Sequence, residues 1–407
     1  MPTQGIPRGG HVRLGRLEAD LTAGPDAVID AEAGGLIEVT GTIRLKGGAT
    51  FQGSLSCGEL RAAKGTVRVA GDLVSRGPVR VERGVLEVGG RFEAADVDVG
   101  RALRVAGPIR CARLEVGGEL EGRASVDATS IVAGGRIAIA GAVSAREVEV
   151  GGEAELGRLA IGSLSAGGRA TVEGGEVSGP IEIGGTFETR GALRYGRLEV
   201  GGVVRLGPGC TGGEIEVGGR LTATGDLRAD ALEIGGLGEV AGSFAGDRVE
   251  VGGQLSVGGT LATTGAVEVG GRLRVGGALS AGSIEVGGEI RAREARIAGA
   301  VEVGGRLETE GGLRAERIEL GRRAEARGPI HADQVLLRSR SRAETVSGRR
   351  VELEDRAEAR SIVAEEVRLG EKARAGEVKY VRSIEMGRGA VVGAPAVQIP
   401  AMPPVPE

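Results

Sequence analysis

A glycine-led unit returns almost every seventeen residues through most of this chain. The first glycine of each repeat is Gly117, Gly134, Gly151, Gly167, Gly184, Gly201, Gly218, Gly235, Gly252, Gly270, Gly287, Gly304 and Gly321. Most of them open a Gly-Gly pair and follow an aliphatic–acid–aliphatic triplet. All but two of the steps between them are identical in length, and those two are one shorter and one longer. A period this strict means one supersecondary unit stacked on copies of itself, because a single unit cannot bury its own apolar face.

The inside of one unit gives the shape. From Val301, apolar or small residues fall at Val301 and Val303, Leu307 and Thr309, then Leu313 and Ala315. Each pair has period 2, so both members point to one side of a short strand. Neighbouring units repeat this at Ile318, Leu320, Ala324, Ala326, Ile330 and Ala332, and at Val267, Val269, Leu273, Val275, Leu279 and Ala281. An earlier one reads Val97, Val99, Leu103, Val105, Ile109 and Cys111. Three short strands and three corners per turn predict an all-β chain: a single long triangular β-helix. The glycines follow the first strand, where positive φ and close approach of stacked corners both favour them. Gly304 is accordingly expected to tolerate substitution less well than Gly282, which lies at a less regular corner.

The register runs from about Ile43 to about Val392, roughly 21 turns, which at about 4.8 Å per turn is a rod about 100 Å long. Residues 1–40 read as an N-terminal tail and irregular opening turns, suggested by Val12, Leu14, Leu17, Ala19 and Leu21. Residues 41–334 form the Gly-Gly-repeat β-helix. In 335–393 the inward columns persist (Val351, Leu353, Ala357, Ala359, then Val367, Leu369, Ala373, Ala375) while Arg and Glu take over the corners. Residues 394–407, with five prolines in fourteen positions, read as a disordered extended tail that joins no ladder and whose deletion spares assembly.

Composition excludes several classes. Gly is 78 of 407 but Pro only 13, with no G-X-Y register, so the chain is not collagen-like. A content of 41% hydrophobic residues is too high for disorder. With no Trp, two Tyr and four Phe, the core is thin and aliphatic. The net charge of −4 gives no electrostatic case for nucleic acid or anionic membrane. No apolar leader or membrane segment is read, so the expected localisation is cytoplasmic. Three Cys (Cys57, Cys111, Cys210), odd in number, are expected as buried filler rather than a disulfide framework.

The blocks VEVGGRL (267–273), IEVGGEI (284–290) and VEVGGRL (301–307) resemble the bactofilins, over roughly residues 40–390. That resemblance implies a right-handed β-helix and nucleotide-independent, end-to-end polymerisation into non-polar cytoskeletal filaments. The chain is longer than the usual family core and lacks the short hydrophobic N-terminal segment that some members carry.

Candidate site residues follow from the surface. The middle of the first strand is Glu182, Glu199, Glu216, Glu233, Glu250, Glu268, Glu285, Glu302 and Glu319 on nine successive turns. This acidic column is either a solvated face or a strip for a divalent cation or a basic partner. Unpaired strand edges at the ends make Val392, Ile384 and Met386 the expected polymer-end contacts, with a second copy as partner. No cofactor and no catalytic residue are expected. His11 and His331 are the only histidines, and His331 sits outward beside Ile330, which weakens a hexapeptide-type acyltransferase. The alternative to a filament is a monomeric rigid scaffold or spacer.

Overall fold

The structure, a computed structural model, describes residues 3–32 and 35–404. Residues 1, 2, 33, 34 and 405–407, parts of the expected opening turns and proline-rich tail, lie outside the described residues. Every regular element among the described residues is a strand, so none is a helix long and apolar enough to cross a membrane. The chain is a parallel β-solenoid of about 23 turns with about 17 residues per turn. It divides into two compact units, Met1–Gly202 and Val203–Glu407.

In the first unit Val97 pairs with Leu114, Leu114 with Ile131 and Ile131 with Val148, each step one turn of the common length. The next step, Val148 to Leu164, is shorter by one and keeps the column. In the second unit one inward column runs Ile215, Leu232, Val249, Val267, Ile284, Val301, Ile318, Val335, Val351, Val367, Ile384. Branched aliphatics suit these positions because each packs flat against the same residue type one strand spacing away. All of the inward residues named from sequence in the four sample turns are buried except Ala315, which is half-buried. The four phenylalanines, Phe51, Phe92, Phe187 and Phe244, are fully enclosed.

The ladder begins earlier than the sequence suggested. Thr3 to Ile6 pairs with Asp20 to Ala23, and His11 to Leu14 with Val28 to Ala31. The following turn is longer than the repeat, since Leu21 pairs with Ile43 and Ile29 with Phe51. That insertion, together with corners that carry Pro7 and Pro25, breaks the periodic signal. At the other end Val397 and Gln398 pair with Lys379 and Tyr380, so the proline-bearing stretch does join the ladder. Pro395 and Pro400 flank that pair, and a proline next to a two-residue strand removes no donor from it.

The repeated corners do not use positive φ. That conformation occurs at Gly9, Gly35, Gly65, Gly174, Gly175, Gly209, Gly312, Gly328 and Gly389, none of them the first glycine of a repeat. Close approach is the cause instead. The Gly304 N–H donates to the Val286 carbonyl at 2.9 Å, and a Cβ on Gly304 would lie 2.2 Å from the Gly287 carbonyl oxygen. A Cβ on Gly282 would meet the Thr264 carbonyl oxygen at 2.5 Å, so the expected contrast between Gly304 and Gly282 narrows.

Two tests follow from this packing. Gly304→Ala is expected to destabilise by about 1–3 kcal/mol, as overpacking against a rigid backbone does. Gly122 faces inward, where a Cβ would make ordinary 3.6 Å contacts with Ile139 and Val126 side chains. Gly122→Ala should therefore stabilise by about 0.5–1 kcal/mol through the unfolded chain; thermal melts that rank the two the other way would contradict the close-approach account. Leu273, fully buried between Leu255 and Ile290, should not tolerate Asp, whereas exposed Glu302→Gln should not lower the melting temperature.

Candidate functional site

The first-strand glutamates are stacked neighbours. In the first unit Glu182 pairs with Glu199. In the second unit Glu216, Glu233, Glu250, Glu268, Glu285, Glu302 and Glu319 follow one another in register. Like charges about 4.8 Å apart repel by about 0.9 kcal/mol per pair in water, before screening. Glu319 accepts a hydrogen bond from Arg338 at 2.7 Å, and the same guanidinium reaches Glu354 at 3.1 Å. These contacts raise the Arg338 pKa further, the Glu319 hydrogen bond foremost. Glu233, Glu250, Glu268, Glu285 and Glu302 are exposed and form no ion pair among the described residues.

A second column behaves in the opposite way. At the start of the second strand of each turn the register runs Arg272, Glu289, Arg306, Glu325, Arg342, Glu358, Arg374. Arg272 meets Glu289 at 3.0 Å, Arg306 meets Glu325 at 3.8 Å, and Glu358 is held by Arg342 at 3.3 Å and Arg374 at 3.9 Å. Sequence reasoning missed this alternation. Its signal was available in the residue after each Gly-Gly pair: Arg272, then Glu289, then Arg306. In the first unit Glu119, Arg136, Glu153 and Arg169 alternate in the same way.

The remaining candidates from the sequence are its cysteines and histidines. Cys57, Cys111 and Cys210 are buried and free. Burial pushes the Cys57 thiol up to about 11 and the Cys111 thiol to about 12, so neither is a nucleophile at neutral pH. His331 is half-buried on an outward position, with its Nδ1 2.9 Å from the Ser347 hydroxyl. Partial burial, and then the nearby Arg314 charge, hold it below the usual imidazole range. His11 lies in the first unit, 2.7 Å from Asp30. No group of three or more His, Cys, Asp or Glu side chains that could hold a metal ion is found among the described residues. A groove of about 470 Å³ in the first unit is walled by Arg68, Glu87 and Arg104, whose charges pair with each other at 2.7 and 3.6 Å.

The last turn is open. Ile384 and Val392 are half-buried, and Met386 is 53% exposed although its column partner Leu369 is fully inside. Val391 and Val397, not singled out from sequence, are 55% and 51% exposed. Both continue outward columns, Val391 in register with exposed Arg374 and Val397 with exposed Lys379.

The two charge columns predict opposite responses to the same substitution. Glu358→Arg puts three guanidinium groups in succession and should lower the melting temperature by about 1–3 °C, whereas Glu285→Arg relieves two repulsions and should raise it by a similar amount. Both shifts should vanish in 1 M salt, where the screening length is about 3 Å; shifts of one sign, or shifts that survive salt, would contradict the column assignment. No protein-family model, curated protein or solved structure matches this chain.

Proposed function

We propose that this chain is a structural protein that assembles end to end through the last turn of its second unit, without a nucleotide. The observation that carries this reading is the run-out of inward columns at the last turn: Met386 is 53% exposed and Ile384 and Val392 are only half-buried, where Leu369, Val367 and Ala375 one turn earlier are buried. Earlier turns of this unit have those positions covered by the next turn, so the surface that fits an open turn is another turn of the same outline, on a second copy. The bactofilin-like blocks at 267–307 support the same reading, and so do free thiols at Cys57, Cys111 and Cys210, which suit a reducing compartment such as the cytoplasm. We read the role as structural rather than catalytic, because the charged residues of the groove in the first unit pair with each other and the surface chemistry is organised as columns.

A second reading, a monomeric scaffold or spacer, is favoured by Pro395, Pro400, Pro403 and Pro404 near the same edge. Prolines lack the N–H that a further strand would need and commonly blunt sheet edges.

Sedimentation and negative-stain microscopy of purified protein without ATP or GTP separate the two. End pairing predicts elongated assemblies whose growth Met386→Lys or Val392→Lys blocks while the melting temperature stays near wild type. Removing residues 394–407 should also weaken assembly, since Val397 and Gln398 belong to the ladder. A wild-type protein that stays a single copy at high concentration would leave the scaffold reading in its place.

A further inference from the structure

The second unit changes its corner at Gly321. Up to Gly304–Gly305 the corner carries no side chain; from Gly321 it becomes a four-residue turn closed by a backbone bond. The closing bonds run from the N–H of Ala324 to Gly321, Ser341 to Arg338, Ala357 to Glu354, and Ala373 to Gly370, at 3.0–3.3 Å. The third position of each turn has positive φ: Arg323 at 63°, Arg340 at 63°, Arg356 at 59° and Lys372 at 56°. That position favours Gly or Asn, and left-handed backbone is unfavourable for a long side chain. Elsewhere in the chain the corresponding residue is Gly9, Asp26, Gly209 or Gly389.

The four cations form one column. Each donates its backbone N–H to the residue just before the next one: Arg323 to Ser339, Arg340 to Asp355, Arg356 to Glu371 and Lys372 to Arg388. All four side chains are exposed. Lys372 reaches Glu371 at 3.3 Å, while Arg323, Arg340 and Arg356 form no ion pair among the described residues. The acids of the same corner are engaged: Asp355 accepts the Glu371 N–H at 2.9 Å, and Glu354 accepts from Arg338 at 3.1 Å and the Ser339 N–H at 2.9 Å.

We propose that this cationic corner is a lateral docking strip for the glutamate face of a second copy of this chain. Charge and spacing both select that partner. Five unpaired carboxylates, Glu233 to Glu302, stand on an exposed sheet face of the same unit, and they advance by one strand spacing per turn, about 4.8 Å. The cations advance by the same spacing, so the three free guanidinium groups of Arg323, Arg340 and Arg356 meet three successive carboxylates without a register mismatch. Because the acidic stretch precedes the basic one along the same unit, two copies lying antiparallel satisfy both strips at once, a self-complementary contact. The contact is electrostatic and lateral, so it is independent of the apolar end pairing proposed above.

The test uses full-length chains carrying Met386→Lys, so that end pairing does not contribute, and reads their association by sedimentation velocity. Dimers are expected at 20 mM salt and single copies at 0.5 M salt. The triple variant Arg323→Glu, Arg340→Glu, Arg356→Glu should be a single copy, and so should Glu268→Lys, Glu285→Lys, Glu302→Lys. An equimolar mixture of the two triples should restore a dimer containing one of each. A third triple, Arg323→Asn, Arg340→Asn, Arg356→Asn, should lose association yet melt higher than the parent, because Asn suits the left-handed position. The proposal is overturned if the parent is a single copy at low salt, if either charge-reversed triple dimerises alone, or if their mixture does not. End pairing fails separately, by the absence of long assemblies in the chain with Met386 intact at high salt.

Discussion

The interaction on which the rest depends is the backbone ladder between one turn and the next. It fixes every residue about 4.8 Å from its counterpart, so each side chain must be compatible with a near copy of itself above and below. This explains why the corners are glycine although their φ is unexceptional. The Gly304 N–H reaches back to Val286, and the backbone that allows it brings the Gly287 carbonyl to 2.2 Å from where a Cβ would stand. Steric exclusion between turns, rather than a turn conformation, keeps the pair in place.

The same stacking turns a local choice of residue into a long-range electrostatic one. A glutamate repeated at one position becomes a run of repelling neighbours, as from Glu216 to Glu319. An alternating Arg and Glu becomes a ladder in which Glu358 is claimed by Arg342 and Arg374 together. Both patterns occur in one unit, so the stack itself satisfies the second column and leaves the first to the solvent or to a partner. Exposed pairs contribute little singly, and the difference between the columns matters through their length.

Much of the fold was legible because its signal is periodic. Val301, Val303, Leu307 and Leu313 could be placed inside from spacing alone, and all are buried. Legibility failed where a turn departs from the common length or where geometry, not residue type, decides. The lengthened turn after Leu21 broke the common register, so the opening strands read only as irregular turns. Pro395 and Pro400 suggested that nothing near them could pair, although Val397 and Gln398 lie between them with their own donors intact. The glutamate column was visible as a list of positions. The left-handed conformation of Arg323, Arg340 and Arg356 was not, because no residue preference points to arginine there.

These departures carry the individuality of the chain. A Gly-Gly corner offers a partner only backbone, and it repeats without distinguishing one turn from another. Once Arg322 interrupts the pair, the corner gains side chains, a closing hydrogen bond and a strained φ, all within one turn. A solenoid whose only task was to stack had no reason to change a corner that already stacked, and Asn or Gly would serve the new turn with less strain. Positions that break local preference without improving the fold are where function is expected to reside. By that criterion, the places to test for recognition in the second unit are the corner that follows Gly321 and the end where Met386 is left uncovered.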